Sequence, residues 1–425
     1  MTNPTGTLQS FISDWVDARF SSETGFLAEL VKVPSDNPPG DCNAHSQRAA
    51  QLLAALGLNV EKHQVPAAEV QAVGMISATN LVVKLDFGSG GPWIALNAHG
   101  DVVPPGTGWK YNPYGAEVVE DPVHGPVMYG RGVAVSKSDF ATYTFALLAL
   151  RDYAAKHGGL NGKLELQLTY DEETGGEIGP QWLLEQGISK PDIAISAGFS
   201  YAITTAHNGC LHLEVIVHGH PGHAAMPQTG IDAIAAATGI LTDLYAYRTE
   251  LATVKSKTFG INSPTLNVGL ISGGINTNVV PDKASFRIDR RIIPEEDPAA
   301  AEAALRELIT KSAAKYPGIR VEMRRILLAL PLVRLPGATP LIEALQKHGE
   351  HFFGTPIITH GVPLYTDARH YTTAGIPAVL YGAGPRTLQE AGGHGANECL
   401  RLNDLRGATK TVACALAELL FVSKT

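Results

Sequence analysis

Apolar residues recur at helical spacing around Phe11 to Val33, which predicts an amphipathic helix, and a turn-rich Pro34-Ser35-Asp36-Asn37-Pro38-Pro39-Gly40 follows. A second helix is expected through Leu56, with Gly57 as its stop. Leu81–Leu85 and Trp93–Ala98 are short apolar runs on either side of Gly88-Ser89-Gly90-Gly91-Pro92, a pattern that suits two neighbouring strands joined by a turn. Helical periodicity returns over Ala141–Ala155; Leu164–Thr169 and Ile193–Ser196 read as strands, with a short helix at Gln181–Gln186 between them. Such alternation predicts an α/β layer fold, in which ligands collect beyond the carboxyl ends of the strands. His99, Asp171 to Glu173 and Ala197-Gly198 all follow such strands.

From Leu211 the rhythm changes. Strand Leu211–His218, helix Ile231–Tyr247, strands Thr265–Ile271 and Lys283–Ile293, helix Pro298–Lys315 and strand Ile319–Ile326 give the order β-α-β-β-α-β, a ferredoxin-like arrangement. The α/β pattern resumes at Pro340–Phe353, Ile357–Ile358 and Ala378–Tyr381. Residues 210–328 are therefore expected as a domain inserted between a first catalytic part, 1–209, and a second, 329–425.

With 425 residues, 44% hydrophobic and 17% charged, the chain is long enough for two domains with large cores. The net charge of −8 comes without a long run of either sign, so neither nucleic acid nor an anionic membrane is an electrostatically favoured partner. The start of the chain lacks a basic-then-apolar leader, which gives a cytoplasmic expectation. Its four cysteines have no paired short spacing, and buried thiols are the expected state.

Four segments carry candidate chemistry: His99-Gly100-Asp101, Tyr129-Gly130-Arg131-Gly132, Asp171-Glu172-Glu173-Thr174-Gly175-Gly176 and His394-Gly395-Ala396-Asn397-Glu398. Each alone has an ordinary structural explanation, a satisfied histidine or a solvated acidic turn. In this order, together with Pro34-Ser35, Lys137, Gly219 and Gly222-His223, Asn278-Val279-Val280-Pro281, Asp289-Arg290-Arg291 and Thr366-Asp367-Ala368-Arg369, the chain resembles the metallopeptidase family of aminoacylase, succinyl-diaminopimelate desuccinylase and glutamate carboxypeptidase. The resemblance implies a zinc-peptidase-like α/β/α catalytic domain with an inserted ferredoxin-like lid that also forms a homodimer contact.

Carried over by position, the resemblance makes His99, Glu173 and His394 metal ligands, Glu172 the general base and Asp101 the carboxylate that orients His99. It makes His223 an oxyanion donor that reaches the partner's active site. Asn278, Arg291, Thr366, Arg369 and the Gly382-Ala383-Gly384 loop are the expected binders of a substrate carboxylate or oxyanion; for either arginine a structural ion pair is the competing reading.

Two positions depart from the family pattern. The bridging Asp expected five residues after Gly130 is Val135, and the carboxylate expected after the strand that follows the Glu pair is Gly198. Asp139 and Ser200 lie near enough in sequence to be considered as replacements. Without the two carboxylates, one weakly held divalent ion, manganese or zinc, is expected in place of a bridged pair. With these two departures the chain resembles, among the family's members with unusual substrates, an aryl-amine aminohydrolase that turns 5-nitroanthranilate into 5-nitrosalicylate and ammonia, and an ortho amino-carboxylate would chelate such an under-coordinated ion. An N-acyl amino acid deacylase or dipeptidase is the alternative within hydrolases. A non-catalytic ligand-binding relative is the alternative outside them.

Overall fold

The computed structural model describes residues 4–421, and these separate into two compact units. The first takes the chain as far as Thr205, then Arg334–His360 and the segment from Thr366 onward; the second is Ala206–Val333 with a short return at Gly361–Tyr365.

The first unit is organised around an eight-stranded sheet. Its order is Glu61–Gln64, Thr79–Gly88, Gly162–Thr169, Trp93–His99, Ile193–Ser196, Ala378–Leu380, Ala202–His207 and Ile358–Val362. The four strands Gly162–Thr169, Trp93–His99, Ile193–Ser196 and Ala378–Leu380 run parallel, so their carboxyl ends share one edge of the sheet. Ile94 to His99 and Leu164 to Thr169 are buried without alternation, as strands covered on both faces must be. Helices Pro4–Val31, Lys137–His157, Thr339–Phe353 and Leu402–Leu420 contribute to the apolar core with this sheet.

Thr79–Gly88 and Trp93–His99 are not neighbours, contrary to the hairpin-like spacing of their glycine turn. Gly162–Thr169 lies between them, antiparallel to the first and parallel to the second. This strand is buried along nearly its whole length, and the interior place in the sheet satisfies its backbone on both sides.

The second unit is a four-stranded antiparallel sheet in the order Thr265–Gly273, Lys283–Ile292, Gly209–His218, Arg320–Ala329. Helices Ala233–Leu251 and Pro298–Ala313 cover one face, against Leu211, Leu213, Val215, Val217, Phe286 and Ile288. The alternate residues of the same strands form the other, polar face. Among the described residues no helix is long and apolar enough to cross a membrane.

Candidate metal centre

The geometry of the site starts at the end of Trp93–His99. The His99 N–H donates to Ser136 Oγ (2.8 Å), which donates back to the His99 carbonyl (3.1 Å) and fixes the backbone there. On the side chain, Nδ1 lies 2.9 Å from the Asp101 carbonyl and 3.4 Å from its Oδ1. Both partners are acceptors, so Nδ1 carries the proton and Nε2 is left for a ligand. The other oxygen of Asp101 accepts from Asn37 Nδ2 (3.0 Å) and from the Glu173 N–H (3.2 Å). One buried carboxylate therefore ties the imidazole to the acidic turn beyond the neighbouring strand.

That turn, Glu172–Thr174, is a single 3-10 turn after Gly162–Thr169. It brings one ligand atom each of His99, Glu172 and Glu173 within 4.8 Å of one another. His394 enters from a different loop: its Nε2 lies 3.6 Å from Glu173 Oε1, and its side chain is 63% exposed. His394 has φ of +60°, as does Asn397, in the left-handed region that a non-glycine residue enters only when its surroundings hold it there. Arg131 supplies that hold. It pairs with buried Glu398 (2.7 Å) and donates to the Gly395 carbonyl (2.9 Å), while Glu398 accepts from the Ala134 N–H (3.1 Å). The Asn397 side chain caps the Lys110 N–H (2.7 Å).

Charge is badly balanced within this cluster. Burial pushes the Glu172 carboxyl far above its ordinary range; His99 opposes the shift, and Glu173, Asp367 and Asp101 add to it. Burial likewise lifts Glu173 to about 7 and Asp367 to about 6. His99 moves well up although burial opposes it, because its bond to Asp101 and the charges of Glu172, Asp101 and Glu173 outweigh desolvation. Both oxygens of buried Asp367 have no hydrogen-bond partner, and Asp101 Oδ1 has only the long 3.4 Å approach to His99. Unsatisfied carboxylates crowded around an imidazole are chemically suited to a divalent cation, which would replace protons as their counter-charge. His99 and Glu173 could hold it, with His394 completing the set and Glu172 beside it.

The compensating candidates are committed elsewhere. Asp139 Oδ1 accepts from the Ala383 N–H (2.9 Å) and presses on Gly382, and Ser200 Oγ donates to the Gly382 carbonyl (2.9 Å). Both brace the Gly382-Ala383-Gly384 loop. Gly198 has no room for a side chain: a Cβ there would lie 2.7 Å from the Tyr381 nitrogen and 2.8 Å from the Leu380 carbonyl carbon. The strand end has closed onto its neighbour where the carboxylate was expected.

Arg369 is buried and donates to the Gly175 and Thr366 carbonyls, and Thr366 Oγ1 accepts from the Ala368 N–H (3.3 Å). Asp367, named in the sequence only as part of the Thr366–Arg369 run, adds a buried carboxyl to the cluster; Asn37, likewise given no role there, and Ser136, not singled out, support it. Asn37 sits beside Pro38, but nothing in the local sequence around Ser136 or Asp367 marks either as part of a site. In the second unit, Arg291 chelates both oxygens of Asp289 (2.9 and 3.0 Å). His223 is exposed in a two-residue strand against Val279, its Nδ1 accepting from the Ala225 N–H (3.1 Å), and Asn278 is exposed, its carbonyl accepting from Ala224.

Comparison with known proteins bears on the family and the fold. Residues 205–317 match the peptidase dimerisation domain of the M20 family. The chain is 29% identical over 295 residues to an acetylornithine deacetylase of Erwinia tasmaniensis, covering 69% of this chain and 72% of the relative. It is 28% identical over 248 residues to a succinyl-diaminopimelate desuccinylase of Gluconobacter oxydans, covering 56% of this chain and 61% of that one. In fold it is similar to an M20 family metallo-carboxypeptidase from Sulfolobus solfataricus, with a TM-score of 0.72 and 18% identity over 94% of this chain and 99% of the other. Residues 205–317 thus carry the M20 peptidase dimerisation domain, and the chain as a whole has the fold of an M20 metallo-carboxypeptidase and is similar to deacylases, as a metal-dependent hydrolase of carbon–nitrogen bonds.

Proposed function

We propose that the protein is an N-acyl amino acid deacylase that works with one divalent ion held by His99, Glu173 and His394. The observation that carries this reading is the close approach of His99, Glu172 and Glu173 in a buried cluster whose carboxylates, with Asp101 and Asp367, outnumber the cations His99 and Arg369. The two curated relatives named above, a deacetylase and a desuccinylase, supply the substrate class.

A divalent ion held by His99, Glu173 and His394 would supply Lewis acidity for the amide carbonyl and for water. The protein's own residues do the rest. Glu172, buried and with a strongly raised affinity for protons, takes the proton of the attacking water and returns it to the departing amine. Asp101 holds the His99 tautomer and the Glu173 backbone in register. Thr366, Arg369 and the braced Gly382-Ala383-Gly384 loop are assigned to the carboxylate end of the substrate. Asn278, Arg291 and, from a second copy in a homodimer, His223 are assigned to substrate and oxyanion, each to be tested by its own substitution.

Replacing Glu172 by Gln should reduce turnover of acetyl and succinyl amino acids by about 10²–10⁴-fold. Metal affinity of the His99 centre should stay as in the wild type. Undiminished turnover would remove Glu172 as the base, and two ions held together within the cluster of His99, Glu173 and His394 would remove the single-ion site.

A second reading rests on Val135 and Gly198. A site short of two carboxylates leaves coordination positions open for a chelating ortho amino-carboxylate, the reason an aryl-amine aminohydrolase was considered. The curated relatives are deacylating enzymes and give that reading no support. Ammonia release from 5-nitroanthranilate, in the absence of deacylation, would favour it over the first.

A further inference from the structure

The polar face of the inserted sheet holds a second group of ligand-type side chains, Cys210, His212 and Asp289, that the deacylase reading does not use, beside Arg291, which that reading assigns to substrate. Cys210 and His212 are two residues apart on one strand, and Asp289 and Arg291 are two apart on the next. The register pairs Cys210 with Arg291 and His212 with Asp289, so strand geometry sets all four side chains on one face as adjacent cross-strand pairs. One ligand atom each of Cys210, His212 and Asp289 lies within 4.8 Å of the other two, and His212 Nε2 is 3.1 Å from Asp289 Oδ2. Tetrahedral zinc with bonds of 2.0–2.1 Å sets nitrogen and oxygen ligands about 3.3 Å apart, close to the spacing already present.

We propose that Cys210, His212 and Asp289 form a second metal site, in the inserted unit, for a thiophilic divalent transition ion such as zinc or cobalt. Three different donor types, one of them a sulfur, make this site chemically unlike the all-nitrogen-and-oxygen set at His99. Arg291 does not block it. Its Nε and Nη2 each take one lone pair of an Asp289 oxygen, and the oxygen nearer His212 keeps capacity for a further partner. Entry of the ion sends the thiol proton and an imidazole proton to solvent, so two positive charges leave as two arrive. The imidazole is 36% exposed, which gives the ion a route, while Cys210 is fully buried and shielded from the oxidation that destroys exposed thiolate sites.

The test is titration of the metal-free full-length chain with cobalt(II). A near-ultraviolet thiolate-to-cobalt absorption is expected, because the donors gathered at His99 include no sulfur. Cys210→Ser should abolish that band and leave the visible cobalt bands of the His99 centre in place. His212→Gln, a second variant less demanding of the buried fold, should weaken the band-forming affinity by about tenfold or more. No thiolate band in the wild type, or a band that survives Cys210→Ser, would overturn the site. Neither result touches deacylase activity, so this proposal and the one above fail separately.

Discussion

At the scale of single residues, Asp101 has the most concentrated role in the catalytic unit. Its two oxygens and its carbonyl serve His99, Asn37 and the Glu173 backbone at once. Asp101→Ala should therefore weaken metal binding by about 10–100-fold, although Asp101 is assigned no contact with the ion. Competition against a metal-sensitive dye measures this, and unchanged affinity would show that the carbonyl contact alone orients the imidazole. Much of this was legible in the sequence: His-x-Asp after an apolar strand and the paired glutamates identified the centre. Asp367 was not. A carboxylate in a Thr-Asp-Ala-Arg run looks like a helix start, and only tertiary burial, which strips both its oxygens of partners, reveals it as part of the acidic cluster.

At the scale of elements, the Gly130-Arg131-Gly132 turn and the His394 loop form one device. The Arg131–Glu398 pair is almost completely buried, and removing one partner leaves a charge without compensation. Arg131→Met should cost about 3–5 kcal/mol in denaturant unfolding, and should lower metal affinity as well, because the loop that carries His394 loses its anchor. Loss of stability with full metal affinity would separate the two roles. The end of Ile193–Ser196 supports the opposite kind of prediction. Gly198→Asp restores the residue type expected there, yet its Cβ meets the Tyr381 nitrogen at 2.7 Å. The variant should be destabilised by about 1–3 kcal/mol and bind no more metal than the wild type; an equivalent beyond the wild-type content in dialysis would contradict this. Sequence reasoning recognised that a ligand was missing at this place but could not recognise the closed backbone, since the approach of Leu380 and Tyr381 comes from a strand nearly two hundred positions later.

At the scale of the whole molecule, the first and last helices of the described chain are joined through a buried polar contact. Thr409 Oγ1 donates to Glu23, and burial lifts that carboxyl from 4.5 to about 8, with the hydroxyl bond and Arg406 opposing. Because the folded state holds this proton more tightly than the unfolded chain, stability is greatest below the unfolded value and declines as pH rises through the interval up to about 8. Glu23→Gln should flatten this decline and raise the melting temperature near neutral pH, with little effect in acid. A parallel pH dependence in wild type and variant would show that Glu23 does not titrate in this interval. The α/β alternation and the ferredoxin-like insertion were both visible as periodicity. The actual strand order was not, because buried strands of uniform hydrophobicity carry no label for which neighbour they take.

That strand order bears on biosynthesis. Ile193–Ser196 is paired on one side with Trp93–His99 and on the other with Ala378–Leu380, and the entire inserted unit is translated between its two partners. While the ribosome makes those intervening residues, the nascent sheet presents a raw apolar edge to the cytosol or to its own copies. A fragment ending at Cys210 should therefore precipitate or stay bound to a chaperone, whereas the segment Ala206–Val333 made alone has its own closed core and should be released free.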